Sequence, residues 1–262
     1  MGTGNTRCSR RHLGIGLGLA AAALVGCDGD GNGPSLKGGT GDRSSAEPGR
    51  LTYRPTSEGT AAPGRQGEYP LQVGAGAAAF VLAPASDRPL RLVVLLHGAG
   101  GTPQRTLGLL RPYAERHHLL LVAPKSRDRT WDVISEGFGP DVRNIDELLQ
   151  RLSQQYRVEG HTVAGFSDGA SYALTLGISN GDVFDSVIAF SPGFEAAEAS
   201  HGRPRFFVSH GVGDQVLPID MCSRRLVPAL QEVGYDVTYE EFDGGHQVPP
   251  SIREQALAWL GP

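Results

Sequence analysis

The chain has 262 residues, a formal net charge of −4 and 39% hydrophobic residues. That is enough apolar material for one substantial core, and it fits a single α/β domain. The charge is too small, and too free of any basic stripe, to suggest a nucleic-acid partner.

The first residues read as a targeting segment. Arg7, Arg10 and Arg11 form a basic start, and the apolar run Leu13–Val25 is too short to span a membrane comfortably. It ends in Leu24-Val25-Gly26-Cys27, which resembles a bacterial lipobox. That resemblance implies lipidation at Cys27, export, and a lipid anchor holding the protein to a bacterial membrane in the cell envelope. Ser9-Arg10-Arg11-His12-Leu13 also resembles a twin-arginine export signal. Residues 1–26 are thus expected to be a signal peptide. Residues 27–50, rich in Gly, Ser, Asp and Pro, are expected to be a flexible tether. Residues 51–262 are expected to form the folded domain. Of the three cysteines, Cys8 would leave with the signal and Cys27 would carry lipid. Cys222 then has no partner for a disulfide, and it lies at an apparent helix start without flanking glycines, so an inert packed thiol is expected.

Within the domain, Glu68–Val73 and Ala77–Ala83 read as a hairpin across Gly74-Ala75-Gly76. Leu90–Leu96 is continuously apolar, as in a central parallel strand covered on both faces. His97-Gly98-Ala99-Gly100-Gly101 follows, and Thr102-Pro103 opens a helix expected to reach His117. Leu119–Ala123 is the next strand. Val142, Ile145, Leu148, Leu149 and Leu152 have helical spacing within Asp141–Gln155. His161–Ala164 is a strand and Ser167–Asn180 its helix. Ser186–Phe190 and Arg205–His210 are further strands. Pro218–Val233 is a helix, Tyr235–Phe242 a strand and Pro250–Leu260 a closing helix. Strand and helix alternate, which predicts a doubly wound, mostly parallel sheet with helices on both faces. Ligands of such sheets sit beyond the carboxyl ends of the strands.

The chemistry gathers at those ends. Gly165-Phe166-Ser167-Asp168-Gly169 is G-x-S-x-G between a strand and a helix. The glycines relieve crowding where the chain reverses around an exposed serine. A serine hydroxyl needs a base, and the base needs an orienting acid. In this context they follow in the order serine, acid, histidine. His210-Gly-Val-Gly-Asp214 and Asp243-Gly-Gly-His246 each follow a strand. Asp214 is the expected acid and His246 the base. Asp243 is the rival acid, but it lies only three residues from His246. His201 and His210 are rival bases, read as a polar-stretch histidine and a loop-shaping one. Asp182 and Asp185 precede a strand and should face the opposite end of the sheet. An oxyanion needs amide donors. Asp168 is one expected donor, with Ala99 first and Gly100 second for the other, and His97 bracing their loop. A phosphate-cradling role for that loop is disfavoured because no lysine and hydroxyl follow its glycines.

Together, Leu95-Leu96-His97-Gly98, Gly165-Phe-Ser-Asp-Gly169, His210-Gly211 with Asp214 and Val216-Leu217-Pro218, and Gly244-Gly245-His246 resemble α/β-hydrolases of the carboxylesterase/phospholipase type. They also resemble the related secreted polyester depolymerases and feruloyl esterases. The likeness covers Leu90–Pro262. It implies ester hydrolysis through Ser167, His246 and Asp214 with no cofactor, and it places a tryptophan near the site, here Trp131, as a flank of the acyl pocket. Core packing is the alternative for Trp131. No metal site is expected, since no H-x-x-x-H or His/Asp cluster occurs. Short segments where lipases carry a lid point to small or short-acyl esters, or to the accessible ends of a polyester or aryl ester. A peptidase or amidase on the same triad, and a non-catalytic membrane-tethered binding protein, are the alternatives. The sequence carries no signal for oligomeric state.

Overall fold

The computed structural model describes residues 47–55, 64–74, 77–135 and 137–261. The signal segment, Cys27 and most of the tether lie outside the described residues. Among the described residues, eight strands form one sheet: β1 (Gly67–Val73), β2 (Ala77–Ala83), β3 (Leu90–Leu96), β4 (Leu119–Pro124), β5 (Val158–Phe166), β6 (Ser186–Phe190), β7 (Arg205–Gly211) and β8 (Val237–Phe242). Their spatial order is β1-β2-β4-β3-β5-β6-β7-β8. β2 runs antiparallel to β1 and β4, and every other pairing is parallel. The doubly wound sheet expected from the alternating pattern is the observed architecture.

The helices are α1 (Pro103–Leu107), α2 (Asp132–Ser135), α3 (Pro140–Gln155), α4 (Asp168–Ser179), α5 (Ser223–Glu232) and α6 (Pro250–Leu260). Side chains alternate across a strand, so β3 feeds two cores. Leu92, Val94 and Leu96 join one core with the apolar residues of α3, α4 and α5. Val93 and Leu95 join the other with Leu107 of α1 and Ile252, Ala256, Leu257 and Leu260 of α6. Both faces of the sheet are therefore covered, which is why its central strands read as unbroken apolar runs.

The largest departures from the sequence reading are three. The first helix stops at Leu107 instead of His117: Gly108 caps it, and a single 3-10 turn follows at Arg111–Tyr113, where Pro112 has no amide to continue an α-helical ladder. The expected helix Pro218–Val233 is divided at Cys222 into a 3-10 turn, Ile219–Met221, and α5. The packed chain also begins before Leu51. Arg50 donates to Asp182, to the Asn180 side chain and to the Ser179 carbonyl, and Gly49 is buried. Residues 47–50 therefore belong to the folded part, held by an ion pair and hydrogen bonds, with Gly49 against the Phe138 ring.

The strand order places the site. The chain moves from β3 outward to β4, then returns to the other side of β3 with β5. Loops leaving β3 and β5 thus diverge at the carboxyl edge, opening the crevice where such sheets hold ligands.

Candidate active site

Ser167 links β5 to α4 with φ 60° and ψ −124°, a conformation that non-glycine residues seldom adopt. Of order 1–3 kcal/mol of local strain is typical of such a residue. Its neighbours hold it there. The Ser167 amide donates to the Phe190 carbonyl at the end of β6 (2.9 Å), and its carbonyl accepts from the Ala170 and Ser171 amides (2.9 and 3.1 Å). A methyl on Gly165 would run into the Gly169 backbone, and one on Gly169 into the Leu96 carbonyl. Both glycines are therefore steric requirements of the turn.

His246 Nε2 lies 2.9 Å from Ser167 Oγ, and His246 Nδ1 lies 2.6 Å from Asp214 Oδ2. The other Asp214 oxygen accepts the amides of Val216 and Leu217, each at 2.9 Å. Burial alone would raise the Asp214 pKa. The Leu217 amide, the His246 ring and the Val216 amide outweigh it and hold the carboxyl below its ordinary range. Phe166 packs on the His246 ring, centroids 4.7 Å apart. The loops carrying the acid and the base touch through backbone: the Gly213 amide donates to the Gly244 carbonyl (2.9 Å), and a side chain at Gly211 would meet Gly244 and Gly245.

The β3 loop presses against the serine. A Cβ on Gly98 would stand 3.2 Å from Ser167 Cβ. His97, 2% exposed, braces this loop as expected. Its Nε2 accepts the Ser126 amide (3.1 Å), which leaves the proton on Nδ1 to donate to the Gly98 carbonyl (2.8 Å). Burial lowers its pKa, which keeps the ring neutral. The Gly100 amide donates to the Arg129 carbonyl at 2.7 Å, so it is not available to an oxyanion. The Ala99 and Asp168 amides have no hydrogen-bond partner among the described residues. The Asp168 carboxylate accepts the Thr130 hydroxyl (2.7 Å), tying the segment before α2 to the start of α4.

Trp131 is a correction. It is 1% exposed, stacks on Tyr172 at 5.1 Å and lies 4.7 Å from the His97 ring. Its Nε1 donates to the His97 carbonyl (2.8 Å). A buried indole with its only polar group occupied supports the loop from below and offers no face to an acyl chain.

The rivals fall away from the serine. Nδ1 of His246 is bonded by Asp214, not by the exposed Asp243. His201 pairs with Glu47 (2.7 Å). His210 is fully buried, against Ser223, Leu217 and Asp214. Asp182 and Asp185 pair with Arg50 and Arg91 at the amino end of the sheet. Cys222 is buried, and burial pushes its thiol up, away from the reactive thiolate. Sequence reasoning missed the Ser223 contact to His210 and the pair of buried carboxylates Asp132 and Asp141. The first joins residues 13 apart across a loop, and no local pattern announces it. Among the described residues no group of three or more His, Cys, Asp or Glu side chains could hold a metal ion.

Known proteins similar to this chain are esterases and hydrolases. The family model named "Esterase" matches residues 144–217. The "Putative hydrolase MhqD" of Bacillus subtilis is 27% identical over 185 residues, 64% of this chain and 91% of that protein. The crystal structure of esterase PE8 is 25% identical with a TM-score of 0.58, over 69% of this chain and 95% of that one. The Bacillus cereus carboxylesterase superposes with a TM-score of 0.56 at 17% identity, over 71% of this chain and 93% of that one, a likeness of fold.

Proposed function

We propose that this chain, a carboxylic ester hydrolase of the α/β-hydrolase superfamily, works through a covalent acyl-enzyme on Ser167 and takes small or short-acyl esters. The observation that carries the mechanism is the unbroken link from Ser167 Oγ through both His246 nitrogens to Asp214, at 2.9 and 2.6 Å. Ser167 attacks the ester carbonyl while His246 Nε2 takes its proton. The Ala99 and Asp168 amides hold the developing oxyanion. His246 then protonates the departing alcohol, activates a water and restores the serine. Asp214 keeps the proton on Nδ1, so that Nε2 faces the hydroxyl as a base.

The substrate reading rests on cover. Among the described residues, only the four-residue α2 lies between β4 and α3, and residues 191–204 between β6 and β7 contain no helix. Ala99 and Gly100 are exposed at the mouth. A shallow, open cleft suits small esters or the accessible ends of polyester or aryl esters better than long acyl chains.

The test is p-nitrophenyl acetate turnover by Ser167→Ala. A loss of at least a thousand-fold is expected, since removing a triad member costs on the order of 10⁴–10⁶ in related machinery, with the thermal midpoint kept. Wild-type turnover in that variant would remove Ser167 from the mechanism.

For location, we propose that Cys27 carries a lipid anchor. Cys27→Ser should move the protein from the membrane fraction to the soluble fraction. Retention on membranes would contradict this.

A further inference from the structure

We propose that His210 and Ser223 form a positioning relay that sets the catalytic carboxylate from the side away from His246. The inference rests on the triad mechanism above and adds two residues to it, neither of which touches substrate.

Both neighbours of His210 Nε2 are acceptors: the Leu217 carbonyl at 2.8 Å and Asp214 Oδ2 at 3.3 Å. Nε2 must therefore carry a proton. Burial lowers the pKa of this fully buried ring, against the opposing pull of Leu217 and Asp214, so the ring holds one proton and Nδ1 is bare. Ser223 Oγ, 2.7 Å from Nδ1, is then the donor. Ser223 is itself fully buried at the first position of α5. The chain of donors runs from Ser223 through His210 to the Leu217 carbonyl, and the Leu217 amide in turn donates to Asp214.

The effect falls on one turn. Leu217 is gripped at both ends of its peptide: its amide donates to Asp214 Oδ1, and its carbonyl accepts from His210 Nε2. Asp214 accepts three hydrogen bonds, from the Val216 and Leu217 amides on one oxygen and from His246 on the other, and His210 Nε2 stands 3.3 Å from that second oxygen. A carboxylate so filled cannot rotate without abandoning a buried partner. Without the Ser223 hydroxyl, the His210 proton can move to Nδ1. Nε2 would then present a lone pair to a carbonyl and a carboxylate, and the turn would shift away from His246.

The readout separates positioning from folding. Ser223→Ala removes one oxygen and keeps the helix start. Its expected phenotype with p-nitrophenyl acetate is a kcat reduced about ten-fold, within the roughly hundred-fold scale of a misplaced catalytic group. KM should stay within about two-fold and the thermal midpoint near wild type. His210→Gln, whose amide nitrogen can reach the Nε2 position, should retain more kcat than His210→Leu. Unchanged kcat in Ser223→Ala overturns the relay, as does a loss of kcat that tracks a fall in thermal midpoint. Should His210→Leu not fold, Ser223→Ala still decides. If Ser167→Ala is inactive while Ser223→Ala is normal, the relay alone fails; if Ser167→Ala is active, the triad reading fails first.

Discussion

Ser167 stands in a backbone conformation that its own chemistry disfavours, and two missing side chains make it possible. Gly165 and Gly169 face backbone and not flexible side chains, so a methyl group there cannot be absorbed by a rotamer change. Gly165→Ala and Gly169→Ala should each lower the thermal midpoint by several degrees or prevent folding, and should abolish esterase activity. Calorimetry or circular dichroism would check this, and a stable, active Gly165→Ala enzyme would refute the steric account. This part of the site was legible in the sequence because its cause is local: strand, glycine, serine, glycine, helix. The choice between Ala99 and Gly100 was not. It turns on the Arg129 carbonyl, 29 positions along the chain, which occupies the Gly100 amide. Trp131 failed for the same reason. Its residue type suits a pocket wall and a core equally, and only the stack with Tyr172 and the bond to His97 decide it.

At the scale of elements, the loops after β6 and β7 meet beside the nucleophile. The Gly193 amide donates to Ser171 Oγ (2.9 Å), one turn along α4 from Ser167. A Cβ on Gly193 would stand 3.2 Å from a Leu217 methyl. Leu217 and Gly193 thus pack together one turn from Ser167, and on the proposed mechanism they border the acyl group. Leu217→Ala should raise kcat/KM for p-nitrophenyl octanoate relative to acetate several-fold, since a few methylenes of new apolar contact are worth about 0.8 kcal/mol each. An unchanged octanoate-to-acetate ratio would put the acyl chain elsewhere. The sequence marked the loops after β7 and β8 as functional, because His210, Asp214 and His246 sit among glycines at strand ends. It could not show how α1 and α5 begin and stop. Helical spacing persists through Gly108, Pro112 and Cys222, and at those points the backbone leaves the helix.

At the scale of the whole molecule, the end of the sheet opposite the site is closed by residues 47–54. Asn180 donates to the Gly49 carbonyl and accepts from the Leu51 amide. Tyr53 Oη reaches Ser153 Oγ (2.7 Å) and His161 Nε2 (2.9 Å). Composition hid the first part of this strap, since it is polar and glycine-bearing like the tether before it.

The strap makes stability sensitive to acid in a defined way. Burial first, then the Arg91 charge, pulls His161 down to about 4 against the opposing Asp185. At the other buried cluster, burial and the nearby Asp132 and Asp128 push Asp141 up to about 6, against the Arg127 and Asp132 amides. The signs oppose. The His161 folded-state pKa lies below its ordinary 6.5, so as pH falls from about 6.5 to 4 the unfolded chain binds a proton that the folded chain refuses. Stability then drops by up to about 1.4 kcal/mol per pH unit. Asp141 has a folded-state pKa above its ordinary 3.8, so between about 6 and 3.8 the folded chain takes up the proton first and stability rises with a similar slope. Over pH 4–6 the two contributions offset each other. Removing either group should expose the other: His161→Gln should flatten or invert the acid loss of thermal midpoint, and Asp141→Asn should steepen it. Thermal midpoints of the three proteins from pH 4 to 7 decide the matter. Parallel curves would mean that neither buried group governs acid stability, and that the strap meets the sheet without a proton-linked cost.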